Sequence, residues 1–247
     1  VEIGGATAAV SPEGALALVA RDGGLALLRL DTGEATRIEG ALADADRLAF
    51  SADGLTAAAY SGSSRRVQIL RDLRTTPAAD PAVDVSSLDG TLSALAAGGA
   101  HAVLAMTGGV YAVAGDAVTR IAEISGPVAV EIAPNGRDLF VAGRQRIVEV
   151  RDFAATASLL PFAEIADPVG IQIAAGGKRL LIASARGIDA FDIATHAAVG
   201  HLDLDFTPTR MEAAGRLALL NTGSAQEPLY VLDENFIVSF VPAGREQ

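Results

Sequence analysis

Three polar side chains fall where chemistry could gather. Glu131, Gln172 and Arg210 each stand five residues before a recurring glycine, at Gly136, Gly177 and Gly215. Glu131 is flanked by Val130 and Ile132, and Gln172 by Ile171 and Ile173. In a strand with a period of two, each therefore faces away from its apolar neighbours. The matching positions upstream are Ala9, Ala49 and Ala94. A carboxyl, an amide and a guanidinium sharing one wall could line half of a ligand pocket. The plainer alternative is a satisfied polar cluster in which Glu131 pairs with Arg210 directly or through water, because buried polar groups find partners.

A second set is arginine-rich. Arg144, Arg146 and Arg186, with Arg21, Arg65 and Arg66, fall in turns expected at one end of the molecule. Grouped there, they could hold an acidic ligand or partner. The alternative is a solvated rim of mixed charge, since Asp44, Asp46, Asp89, Asp167 and Asp205 fall in nearby loops. Calcium needs six to eight oxygen ligands. Glu131, Asn221, Asp167 and Asp205 are the one set at that end that could supply them, and Arg210 would repel the ion. No metal or cofactor is therefore expected, with calcium as the runner-up. His101, His196 and His201 show no triad-like pairing with a serine or a carboxylate. Glycine pairs such as Gly108-Gly109 read as turns, not phosphate cradles.

The elements that must position these groups come from a repeat. The glycine recurs at Gly14, Gly54, Gly99, Gly136, Gly177 and Gly215. It often closes a tight-turn tetrad such as Ser11-Pro-Glu-Gly14 or Ala133-Pro-Asn-Gly136. An apolar run follows each one, for example Leu139 to Ala142, and reads as a buried strand. A third strand then ends near an aspartate: Asp31, Asp72, Asp116, Asp152, Asp192 or Asp233. These aspartates are expected to do one structural job, accepting backbone N–H groups in Asx-turns. A fourth strand completes each unit, as in Val118 to Ile121.

Four short strands in each of six units, repeating every ~40 residues, predict an all-β, six-bladed β-propeller with four antiparallel strands per blade. A missing upstream blade would make it seven. The domain is expected over 1–241, with 242–247 a tail or linker. The segment 1–3 is expected to add an edge strand to the last blade and close the ring. Opening at Val1 rather than methionine predicts trimming or processing upstream.

The stretch Ile132-Ala-Pro-Asn-Gly-Arg-Asp-Leu-Phe-Val-Ala142 resembles the turn of YVTN-type, NHL-like propeller repeats. Val10-Ser-Pro-Glu-Gly-Ala-Leu-Ala-Leu-Val-Ala20 and the unit from Ile188 through Thr195 resemble it too. The resemblance implies a propeller whose ligand face is the end bearing the loops between second and third strands. It also implies relatives among surface, periplasmic and binding proteins, with some lactonases and lyases.

Bulk properties narrow the partners. The formal net charge of −11 disfavours nucleic acid and anionic membranes. No apolar run reaches the ~20 residues of a membrane span. The absence of cysteine removes disulfides and thiolate sites. Together these readings predict a monomeric, non-enzymatic binding or interaction propeller for an unknown protein or small molecule, placed in a secreted, periplasmic or cell-surface setting. One alternative is a lactonase- or hydrolase-like enzyme with a divalent cation in its channel. Another is a structural domain of a larger surface protein.

Overall fold

A computed structural model describes residues 2–3, 6–21, 23–214, 217–223, 229–233 and 235–241. Six antiparallel sheets follow one another along the chain as blades arranged in a ring. Blade 1 follows a short strand β1 (Glu2–Ile3) and contains β2 (Ala6–Val10), β3 (Leu16–Arg21), β4 (Gly24–Arg29) and β5 (Ala35–Arg37). Blade 2 has β6 (Arg47–Phe50), β7 (Ala57–Ser61) and β8 (Arg66–Arg71). Its fourth strand is broken into β9 (Ala78–Ala79) and β10 (Val83–Asp84), both paired with β8.

Blade 3 comprises β11 (Leu92–Gly98), β12 (His101–Met106), β13 (Gly109–Ala114) and β14 (Ala117–Ala122). Blade 4 comprises β15 (Ala129–Ile132), β16 (Leu139–Ala142), β17 (Ile147–Arg151) and β18 (Ser158–Ala163). Blade 5 comprises β19 (Gly170–Ala174), β20 (Arg179–Ser184), β21 (Gly187–Asp192) and β22 (Ala198–Leu202). Blade 6 comprises β23 (Arg210–Ala214), β24 (Leu217–Asn221), β25 (Leu229–Leu232) and β26 (Val238–Val241). The one described helical turn is a short 3-10 element at Ala175–Gly177.

The turn glycines behave as their chemistry demands. Gly14, Gly54, Gly99, Gly136 and Gly177 all adopt left-handed φ between 56° and 89°, which side chains resist. Gly215 lies outside the described residues. The tetrads reinforce the turn: Leu16 N donates to Ser11 Oγ at 3.0 Å, and Arg137 N donates to Asn135 Oδ1 at 2.9 Å.

One expectation is corrected. β1 does not join the last blade; it pairs with β2 through Glu2↔Thr7 and Ile3↔Ala6. Only two residues separate Ile3 from Ala6, so this local pairing closes a very short loop at small entropic cost. Blade 6 is built from its own four consecutive strands.

Blades cohere through their faces. Separate apolar clusters fill the seams between blades 1 and 2, 2 and 3, 3 and 4, 4 and 5, and 5 and 6. Among the described residues no buried cluster fills the seam between blades 6 and 1. Alanine is common in the tightest places: Ala57, Ala58 and Ala59 are all fully buried. Small side chains there let neighbouring sheets approach closely.

Candidate functional site

The first strands of the six blades surround one cavity of about 1640 Å³. Ala9, Ala49, Ala94, Glu131, Gln172 and Arg210 all line it. So does Asn221, the cross-strand partner of Arg210. The small half and the polar half read from the sequence thus border the same space. Each of these six side chains also lies on the face its blade turns toward the following blade, so the wall is set by seam geometry.

Blade 4 carries the most unusual row. Across β15, β16 and β17, Glu131 pairs with Phe140, and Phe140 pairs with Glu149. Cross-strand partners share a face, so two acids flank one buried ring on the surface that meets blade 5. Phe140 is fully buried and meets Phe162 edge-to-face at 5.0 Å.

The two acids have opposite fates. Glu149 is 4% exposed, and Arg151 donates to both of its oxygens, at 3.0 and 3.1 Å. His196 of blade 5 brings Nε2 to 3.1 Å from Glu149 Oε2, off the hydrogen-bonding direction. Among the described residues Glu131 has no cation beside it, and desolvation pushes its carboxyl up to about 8. It is therefore mostly neutral near pH 7, able to donate one hydrogen bond and accept others.

Glu131 and Arg210 make no direct ion pair. Arg210 Nη2 bonds Glu212 Oε1 at 2.6 Å, two residues along the same strand. Gln172 is 5% exposed; its Nε2 donates to the Leu217 carbonyl at 3.2 Å, while its Oε1 has no partner among the described residues. Asn221 Oδ1 accepts from Gly223 N at 2.6 Å.

The arginines sit in the turns where the sequence set them, away from the cavity wall. Arg144, Arg146 and Arg186 are exposed in the turns between second and third strands and do not line the cavity. Those turns stand one to two strand spacings, ~5–10 Å, outside the inner wall. Arg65 is tied down: Nη1 donates to the Gly90 carbonyl at 2.8 Å, and Nη2 reaches the Leu88 carbonyl. Of the predicted calcium set, Glu131 and Asn221 line the cavity, while Asp167 and Asp205 do not. Among the described residues no three His, Asp or Glu side chains gather as metal ligands.

The expectation of one shared job for six aspartates is also corrected. Asp192 Oδ1 accepts from the N–H and the hydroxyl of Thr195, both at 2.8 Å. Asp233 Oδ1 accepts from Asn235 N and Ile237 N at 2.8 and 2.9 Å. Asp31 holds only Thr32 N, at 2.9 Å. Asp152 takes the Arg137 guanidinium at 2.9 Å. Asp72 serves through its left-handed backbone, φ 54°, and its carbonyl. Asp116 follows Gly115 in the short turn joining β13 to β14. Aspartate suits all these turns because it tolerates left-handed φ and bonds locally.

Two histidines do meet carboxylates, which the sequence had not paired. Besides His196 beside Glu149, His201 bridges Asp189 at 2.8 Å and Asp203 at 3.2 Å. The Asp189 bond holds its imidazole above the usual range. His201 is a cross-strand partner of Asp189, a relation visible only once strand register is known.

Glu149→Ala should cost about 1–2 kcal/mol. It removes a bidentate pair whose acceptor is buried, but Arg151 can still turn to water. Urea unfolding at neutral pH measures this cost; a loss below a few tenths would show that the pair is neutral in balance.

No family model matches the chain, and no curated protein matches it. Solved structures do. A β-propeller domain of Myceliophteria thermophila Cps50 (Swd1) is similar over 100% of this chain and 89% of that one, with a TM-score of 0.68 at 14% identity. A nidogen/laminin complex chain is similar over 88% of this chain and 89% of its own, with a TM-score of 0.63 at 13% identity. Kuenenia stuttgartiensis hydrazine synthase is similar over 92% of this chain and 76% of its own, with a TM-score of 0.61 at 14% identity. At such identities the likeness shows a β-propeller and nothing finer about activity.

Proposed function

We propose that this chain is a non-enzymatic binding propeller that takes an uncharged, hydrogen-bonding ligand into its central cavity, as a monomer working outside the cytoplasm. One observation carries the reading. The wall holds Glu131, whose carboxyl desolvation pushes up to about 8, and a Gln172 whose Oε1 lacks a donor among the described residues, opposite a half made of Ala9, Ala49 and Ala94. A small apolar half and a polar half together favour a compact molecule with N–H or O–H groups on one side. A fixed anion would find Arg210 already neutralised by Glu212. The setting outside the cytoplasm rests on the repeat resemblance alone. The chains similar in fold include a synthase and a member of a nidogen/laminin complex, so fold does not choose between enzyme and binder.

Thermal unfolding tests this reading against its rival, a cation-dependent hydrolase-like enzyme. A panel of neutral sugars and amides should include members that raise Tm saturably by several degrees, by mass action on the native state. Gln172→Ala and Glu131→Ala should remove that rise. A rise that persists undiminished in both variants would place the ligand elsewhere and overturn the reading. A rise with calcium chloride, reversed by EDTA and absent with magnesium chloride, would favour the rival.

A further inference from the structure

Five seams of this ring are alike and the sixth is not. In the closed seams, the second-strand side chain that faces the following blade is sealed: Leu18, Ala58, Val103, Phe140 and Leu181 are all 2% exposed or less. The matching residue of blade 6 is Leu219, and it is only half-buried. Beside it Leu217 is 41% and Leu229 38% exposed, and on blade 1 Leu30 is 45% exposed. Val19, Leu28 and Leu30 from blade 1 border the same cavity as Leu219 and Leu229 from blade 6. The central cavity therefore runs sideways between these two blades.

Two opposed forces meet at this seam. The outer aliphatic side chains gain by closing, as their equivalents do elsewhere, at roughly 25 cal/mol per Å² of apolar area hidden. The inner end carries the Arg210–Glu212 pair on the face turned to blade 1, where blades 1 to 5 have alanine, a neutral carboxyl or an amide. Closing would press that ion pair against Val10 and strip its water, which is costly. We propose that blades 6 and 1 part and rejoin along this seam, making it a lateral gate to the central cavity. Its role in ligand access rests on the binding function above; the motion itself does not.

The chain has no cysteine, so cysteine probes report only where they are placed. Val19→Cys and Leu219→Cys, made singly, should react with a maleimide ~100-fold faster than Val141→Cys in a closed seam, since local opening is far cheaper than global unfolding. The double variant should form a disulfide within one chain under mild oxidant, and that cross-link should slow amide exchange in 16–21 and 217–221. Labelling no faster than Val141→Cys would mean a shut seam. Fast labelling with no disulfide within the chain would mean a fixed gap. A disulfide between two chains would mean an interface between copies. Each of these overturns the gate. If the cysteine variants do not fold, hydrogen exchange of the unsubstituted chain decides. Amides of 16–21 and 217–221 should exchange about ten-fold faster than those of 101–106 and 139–142, and equal rates overturn the proposal. No readout uses a ligand, so failure here is separate from failure of the binding function.

Discussion

Phe140→Ala is expected to destabilise the fold by about 3–5 kcal/mol, because it empties a sealed site that cannot collapse. The ring is fully buried at the seam of blades 4 and 5. It packs with Phe162, which in turn meets Phe191 at 5.7 Å and His196 at 4.6 Å. Strands on both sides are held by their own ladders, so little backbone can move in to fill the space. Equilibrium unfolding in urea measures the loss. A cost under ~1.5 kcal/mol would show that the seam repacks, and that blades 4 and 5 are less rigidly apposed than their burial implies. Phe140→Leu should recover a large part of the loss, since most of the apolar volume returns.

The same substitution carries a second consequence. Phe140 stands between Glu131 and Glu149 on one face, so its ring forms part of the low-dielectric surroundings of Glu131. A cavity beside a carboxyl admits water, and water favours the charged form. The Glu131 carboxyl should therefore titrate closer to an ordinary carboxyl in Phe140→Ala than in the parent chain. Stability and titration are thus two readings of one packed ring.

How much of this was legible in the sequence differs residue by residue. The turn glycines and the apolar runs announced six blades because each signal is local. Gly136 needs left-handed φ whatever surrounds it, and Leu139 to Ala142 appear as β16 with the same limits. Glu131, Gln172 and Arg210 were visible as polar interruptions at a fixed step from that glycine. Their partners were not, because partners depend on register and on the angle between blades. Arg210 chose Glu212, two residues away on its own strand, over Glu131 two blades off.

Glu149 escaped notice because Val148 and Val150 make it look like an exposed strand position. Only the apposition of blade 5 buries it. The open seam was invisible for a related reason. Leu217, Leu219 and Leu229 have the same apolar pattern as residues of closed seams, and pattern reports which face is apolar, not whether another sheet reaches it.

Glu131→Gln should stabilise the protein increasingly as pH rises. An unfolded Glu131 loses its proton near 4.5, whereas in the folded chain it does so near about 8. Between those values the unfolded state binds fewer protons than the folded state, so the parent loses stability with rising pH at this site. Below 4.5 both forms are neutral and there is no penalty. Above 8 both are charged and the penalty is complete. Glutamine keeps the shape and a donor but cannot ionise. The difference in unfolding free energy, variant minus parent, should be near zero at pH 4 and reach about 2–3 kcal/mol at pH 8.5. That estimate is discounted from ~1.4 kcal/mol per pH unit across the gap, because water in the cavity screens part of the charge. Taking the difference cancels titrations common to both proteins, His201 with its raised imidazole among them. Urea titrations at half-unit pH steps give the curve directly. A flat difference would mean that Glu131 ionises normally, so that the wall facing Gln172 bears a negative charge at neutral pH. A site of that kind would select cations over neutral donors, and the choice of ligand class would pass to the cation-dependent rival.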